Sequence, residues 1–170
     1  MRFILPVMAL AVLLPQTSFA QSYSFTNIPD TSMTDPGGGS YTSFNYSPAI
    51  NDAGELVVLA GQAIYRGTPG ALTRLAQTTD AVPGVSGTYQ SFPTPPRINA
   101  TGQVLFAAVA GSGSQFIASP SSTISLAFSG NTPIQNAAGR LSTPYFVGDI
   151  NASGTVFYVG SRKPDPSASA

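Results

Sequence analysis

Pro96-Arg97-Ile98-Asn99-Ala100-Thr101-Gly102-Gln103-Val104-Leu105-Phe106 is one of three related stretches in the chain. Pro48-Ala49-Ile50-Asn51-Asp52-Ala53-Gly54-Glu55-Leu56-Val57-Val58 precedes it, and Gly148-Asp149-Ile150-Asn151-Ala152-Ser153-Gly154-Thr155-Val156-Phe157-Tyr158 follows. Each copy holds an apolar residue, Asn, two free positions, Gly, one more residue and an apolar run. The asparagines stand 48 and 52 residues apart, a spacing typical of structural repeats. Asn at the first position of a type I turn accepts a hydrogen bond from the backbone two residues on. The fourth residue of such a loop takes positive φ in a G1 bulge, which favours Gly. Asn51, Asn99 and Asn151 fit the first role, and Gly54, Gly102 and Gly154 the second. The motif therefore predicts a β-hairpin corner between a short strand and a longer apolar one. Asn99-Ala-Thr101 and Asn151-Ala-Ser153 also match the N-glycosylation pattern. Asn, Ser and Thr are ordinary turn residues, and the turn reading is preferred.

Outward from the corners, the first two repeats match in detail. Gly39, Tyr41 and Phe44 recur 48 positions on as Gly87, Tyr89 and Phe92. Before the first corner, Ser43 to Ile50 reads as a strand; after it, Glu55 to Ala60 is nearly continuous apolar, as in a strand covered on both faces. Ala63 to Arg66 and the alternating Leu72 to Ala76 complete four strands between residues 41 and 80. The second repeat, 89–129, reproduces this with Gln103 to Ala110, Gln115 to Ala118 and Ile124 to Phe128. A third, 143–161, is half present, with Asn136 to Arg140 offering one helical turn before it. Residues 162–170 read as a disordered, Pro-containing tail.

The first twenty residues read as a secretory signal peptide, with Arg2, an apolar core from Ile4 to Leu14 and a small-x-small site at Ser18-Phe19-Ala20. That segment is short for a membrane span, and none is expected after cleavage. The remainder, from Gln21, is long enough for one domain with a core, and 22–28 alternates as a half-buried strand. Without Arg2, six basic residues face seven acidic ones, and only 8% of the chain is charged. No basic patch is available for nucleic acid or anionic lipid. An exported chain without cysteine relies on packing and strand pairing rather than disulfides. A bacterial periplasmic, secreted or cell-surface setting follows as the expectation.

Fifty-residue repeats of four antiparallel strands predict an all-β domain over 21–161 whose repeats resemble β-propeller blades. The count falls short of the four or more blades that normally close a propeller. The expected outcomes are an incomplete or open propeller, closure through self-association, or another all-β form such as a β-sandwich or curled barrel.

Over about residues 35–160, the triple Asn-x-x-Gly motif with its flanking Ile and apolar strand resembles exported bacterial tandem-repeat proteins. These are the choice-of-anchor proteins with the NxxGxxx repeat, named for that motif and their interchangeable C-terminal sorting signals. The resemblance implies export, a propeller-like repeat domain and, often, attachment to the cell surface. It transfers no catalytic residues. The chain departs from the pattern in having fewer copies and no hydrophobic anchor after the third, so a longer parent chain is one expectation.

The chemistry is bounded by absences. The sequence holds no His and no Cys, which excludes serine–histidine and cysteine–histidine nucleophiles and imidazole or thiolate metal sites. A glycosidase needs two converging carboxylates, and Asp52 and Glu55 share one solvated turn. Calcium would have to use oxygen-rich loops at Asp30–Asp35 or Thr79-Asp80, with no dense Asp/Gly run behind them. The expectation is a non-catalytic protein with no cofactor and a structural or protein-interaction role. The alternative is a glycan- or polymer-binding module. Its candidate binding surface is Tyr41, Phe44, Tyr89 and Phe92, against the plainer reading of these as a packing layer between repeats. Tyr65 and Arg66 form a second candidate patch.

Overall fold

A computed structural model describes residues 29–84, 86–110, 114–118, 121–130, 132–134 and 139–164. The signal peptide over 1–20, the strand at 22–28 and the tail beyond Pro164 lie outside the described residues. All described regular structure is β, and the strands pair antiparallel. The first sheet has the order β1 (Ala49–Ile50), β2 (Leu56–Ala60), β3 (Ala63–Thr68), β4 (Ala71–Gln77). The second repeats it with β5 (Arg97–Ile98), β6 (Val104–Ala108), β7 (Ser114–Ala118) and β8 (Ile124–Ser129). The third is a hairpin of β9 (Arg140–Ile150) and β10 (Val156–Lys163). None of these sheets closes into a barrel.

The repeat extends to backbone detail. A register shift falls between Ile64 and Tyr65 in β3, and the matching shift falls between Gln115 and Phe116 in β7. Tyr65 pairs with Val58, and Phe116 with Phe106, and Val58 and Phe106 hold the same place after their corners. The segment leading into each corner is also tied at one place. Gly61 N–H donates to the Ser43 carbonyl at 2.7 Å, and Val109 N–H to the Ser91 carbonyl at 2.8 Å.

Two expectations are corrected. The strand expected over 43–50 is a bridge between Phe44 and Ala60, a break, and the two-residue β1. Pro48 in that break has no N–H to contribute to a ladder. Of the helical turn expected over Asn136 to Arg140, 136–138 lie outside the described residues; Arg140 itself opens β9, whose eleven residues make the third repeat's first strand far longer than β1 or β5. Pro144 sits in β9 opposite Gly160, flanked by register shifts, where a missing ladder donor is tolerated. At the other end, β10 carries on to Lys163, two residues into the segment read as a tail.

β2 and β6 are buried along their whole length because the sheets stack face to face. Val57, Leu59 and Ile64 of the first sheet meet Val104, Phe106, Ala108 and Phe116 of the second, with Tyr89 and Phe92 between. The opposite face of the first sheet, Leu56, Val58, Ala60 and Tyr65, packs beneath Tyr41 and the partly buried Met33. β9 lies across the far side of β6, β7 and β8. Each Val, Leu or Phe so enclosed contributes about 1.5–3 kcal/mol relative to exposure.

Candidate functional site

The three corners adopt one geometry. Each Asn N–H donates to the carbonyl four residues on, and each Gly N–H donates back to the Asn carbonyl, all at 2.9–3.0 Å. The glycines have φ of 78°, 79° and 83°. Each Asn Oδ1 accepts two backbone N–H groups within its own turn, and at Asn99 and Asn151 the Thr101 and Ser153 hydroxyls as well. Ala53, Thr101 and Ser153 N–H reach it at 3.1 Å, and Glu55, Gln103 and Thr155 N–H at 2.8–2.9 Å. The amide nitrogen is then free to point out of the loop. Asn51 Nδ2 donates to the Asn99 carbonyl at 3.1 Å, and Asn99 Nδ2 to the Asn151 carbonyl at 2.8 Å. Glu55 and Gln103 carboxyl and amide oxygens take the remaining hydrogen. The corners therefore form a ladder that joins the repeats, and Asn99, in its middle, is buried at 4% exposure.

The expected binding surface divides. Tyr89 and Phe92 lie in the core between the first two sheets, so they offer no face to a ligand: the correction follows from the stacking, which covers this layer wherever a repeat precedes it. Tyr89 meets Phe116 edge-on at 5.2 Å and Phe92 at 5.5 Å. Its hydroxyl is buried without a partner, and burial, helped by Asp80, pushes its pKa up to about 12. Tyr41 is buried at the other face of the first sheet, while Phe44 stays partly exposed. The Tyr65–Arg66 patch is not a surface either. Arg66 is buried and its guanidinium donates to the Gly102 carbonyl at 3.0 Å and to Ser122 Oγ at 3.2 Å. It clamps the first sheet to the second corner.

A different site emerges around Asp35. Asp35-Pro36-Gly37-Gly38-Gly39 curls so that Asp35 N–H donates to the Gly39 carbonyl and Gly38 N–H to the Asp35 carbonyl. The Asp35 carboxylate accepts from Gly37 N–H and lines the same hollow as Tyr65. Tyr41 and Tyr65 meet edge to face at 5.0 Å. Burial raises both phenol pKa values, with the Asp35 charge adding to it and, at Tyr65, Arg74 opposing; both rings stay protonated. A hollow of about 340 Å³ opens here, lined also by Gln62, Gln77 and Thr78, and Thr78 Oγ1 donates to Gln62 Oε1 at 2.6 Å. A second hollow of about 260 Å³ shares Asp35 and Tyr41 and adds Met33 and Leu72. Among the described residues Asp35 is the one carboxylate lining either, so the chemistry on offer is hydrogen bonding to a polar ligand. The sequence signal for this site was the Asp preceding a Pro-Gly-Gly-Gly turn, legible as a loop but not as a wall.

Among the described residues no cluster of three or more acidic side chains gathers to hold a metal ion, and no helix is long and apolar enough to cross a membrane. The model of a family of unknown function, DUF7453, matches residues 20–165. Searches of curated proteins and of solved structures gave no match.

Proposed function

Since the chain belongs to the DUF7453 family, which carries no assigned activity, the function must come from the architecture: we propose an exported, non-catalytic stacking scaffold. Its role is structural or protein-interacting, at or outside the bacterial cell surface. The sheets act as propeller-like blades in an open stack, in keeping with the resemblance to NxxGxxx-repeat proteins. The observation that carries this reading is the asparagine ladder. A polar side chain that could have lined a site instead spends its hydrogen bonds on closing its own turn and on joining that turn to the next repeat. The absence of His and Cys from the sequence supports a role without nucleophilic catalysis. Expression of the full chain in a bacterium, fractionation and N-terminal sequencing test the reading. A mature chain starting at Gln21 outside the cytoplasm is expected; an unprocessed cytoplasmic chain would overturn it.

A second reading, binding of a glycan or other hydroxyl-rich polymer, is favoured by the hollow at Asp35, Tyr41, Tyr65 and Gln62 rather than by Tyr89 and Phe92. A glycan array decides it: hits lost in Gln62→Ala support the reading, and no hits remove it.

A further inference from the structure

Five large apolar or aromatic side chains stand exposed among the described residues: Phe44, Tyr46, Ile50, Phe157 and Val159. Tyr46 is held between the first two repeats, its hydroxyl donating to the Pro93 carbonyl at 2.8 Å. The other four fall at the two ends of the stack, and the repeat register explains each. Phe157 and Val159 follow Asn151 by the same steps as Leu105 and Ala107 follow Asn99, and as Val57 and Leu59 follow Asn51. The earlier pairs are buried because a further sheet covers them; Phe157 and Val159 are 61% and 70% exposed. At the first end, Ile50 is 66% exposed while its counterpart Ile150 is 5% exposed, and Phe44 is exposed where Phe92 is buried. Each end thus displays one half of a contact that is made twice inside the chain.

The ladder has the same polarity. Asn51 and Asn99 each donate an amide to the next corner, whereas among the described residues the Asn151 amide meets no acceptor. The Asn99 and Asn151 carbonyls receive an amide from the preceding repeat, whereas among the described residues the Asn51 carbonyl receives only Gly54 N–H of its own turn. Charge follows suit. Residues 29–80 carry Asp30, Asp35, Asp52, Glu55 and Asp80 against Arg66 and Arg74, and the β9–β10 hairpin, 140–163, carries Arg140, Arg162 and Lys163 against Asp149. The N-terminal segment is acidic in sum and the C-terminal hairpin basic.

The geometry points to a second copy of this chain as the occupant: the third hairpin of one molecule docks on the first repeat of another. The Asn151 amide then continues the ladder onto the Asn51 carbonyl, and Phe157 and Val159 cover Ile50 and Phe44. The contact is heterologous, so it either closes into a ring or propagates as a filament. This deepens the scaffold reading and rests on it.

The chain contains no cysteine, which makes cross-linking decisive. Single variants Ile50→Cys and Phe157→Cys are prepared from the full chain and treated with a short bismaleimide, alone and mixed. The head-to-tail contact yields a cross-linked dimer in the mixture and little in either alone. Sedimentation provides the companion test. Ile50→Asp and Phe157→Asp each weaken self-association at least tenfold, and mixing the two restores a dimer and nothing larger, because one intact contact remains. Circular dichroism matching the wild type shows that these surface variants still fold. Phe157→Cys cross-linking to itself would overturn the head-to-tail arrangement while leaving the scaffold reading intact. A wild-type chain that stays monomeric up to about 1 mM would overturn the second copy as occupant. Neither result bears on export, which the fractionation experiment tests separately.

Discussion

At the scale of the residue, one asparagine side chain serves two masters. Its oxygen closes the turn and its nitrogen reaches the neighbouring repeat, so removing it costs more where the neighbour exists and water does not. Asn99→Ala strips three turn hydrogen bonds to Oδ1 and the donor to the Asn151 carbonyl from a buried position. A loss of about 2–4 kcal/mol is expected in urea unfolding. Asn151→Ala loses only its exposed turn bonds, and about 1 kcal/mol is expected. Equal losses at the two sites would mean that the inter-repeat bond contributes nothing. Tyr89 gives the second residue-scale prediction. Its folded pKa, about 12, lies above the ordinary phenol value of 10.0, so the unfolded chain sheds the proton first. The stability held by the neutral phenol is present below pH 10 and lost as pH rises towards 12, by about 2–3 kcal/mol. Tyr89→Phe removes that pH dependence. It also deletes a buried hydroxyl with no partner, so it is neutral or stabilising by up to about 1 kcal/mol at pH 7. Denaturation midpoints of both proteins at pH 8 and pH 11.5 check these signs. The turn itself was legible in the chain, because Asx turns and positive-φ glycines depend on neighbours within four residues. The outward amide was not, because its acceptor lies 48 or 52 residues away.

At the scale of the element, position in the stack decides what a residue is worth. Leu105 and Phe157 occupy the same place in their repeats, yet Leu105 is fully buried in β6 and Phe157 stands on the exposed face of β10. Leu105→Ala is expected to cost about 2–5 kcal/mol through lost burial and the cavity left behind. Phe157→Ala should change monomer stability by less than about 0.5 kcal/mol. Thermal or urea unfolding in dilute solution separates the two, and comparable costs would show that a further layer already covers β10 in the monomer. The apolar runs of β2 and β6 announced strands covered on both faces. What covered them was not readable, nor was the length of β9, since Pro144 reads as a strand breaker until its partner Gly160 and the surrounding register shifts are known.

At the scale of the whole molecule, a chain of formal net charge zero hides an acidic segment over 29–80 and a basic hairpin over 140–163. If copies meet head to tail, salt opposes the contact. Raising ionic strength from about 0.01 to 1 M shortens the screening length from about 30 to 3 Å. Self-association by sedimentation is therefore expected to weaken across that range, and to do so less for Arg162→Gln, which removes part of the attraction. Association that strengthens with salt would assign the contact to apolar burial alone. The sequence by itself determined the all-β class, the antiparallel four-strand repeat and the Asn–Gly corner, because these rest on period-two patterning and on turns closed within a few residues. Tertiary structure alone decided that Tyr89 and Phe92 are core while Phe44 is not, that Arg66 clamps rather than binds, that Asp35 faces Tyr41 and Tyr65, and that the asparagines form a ladder. Those outcomes depend on which face of one sheet meets the next. Side-chain alternation specifies that a strand has two faces, but only the packed stack specifies what lies against each.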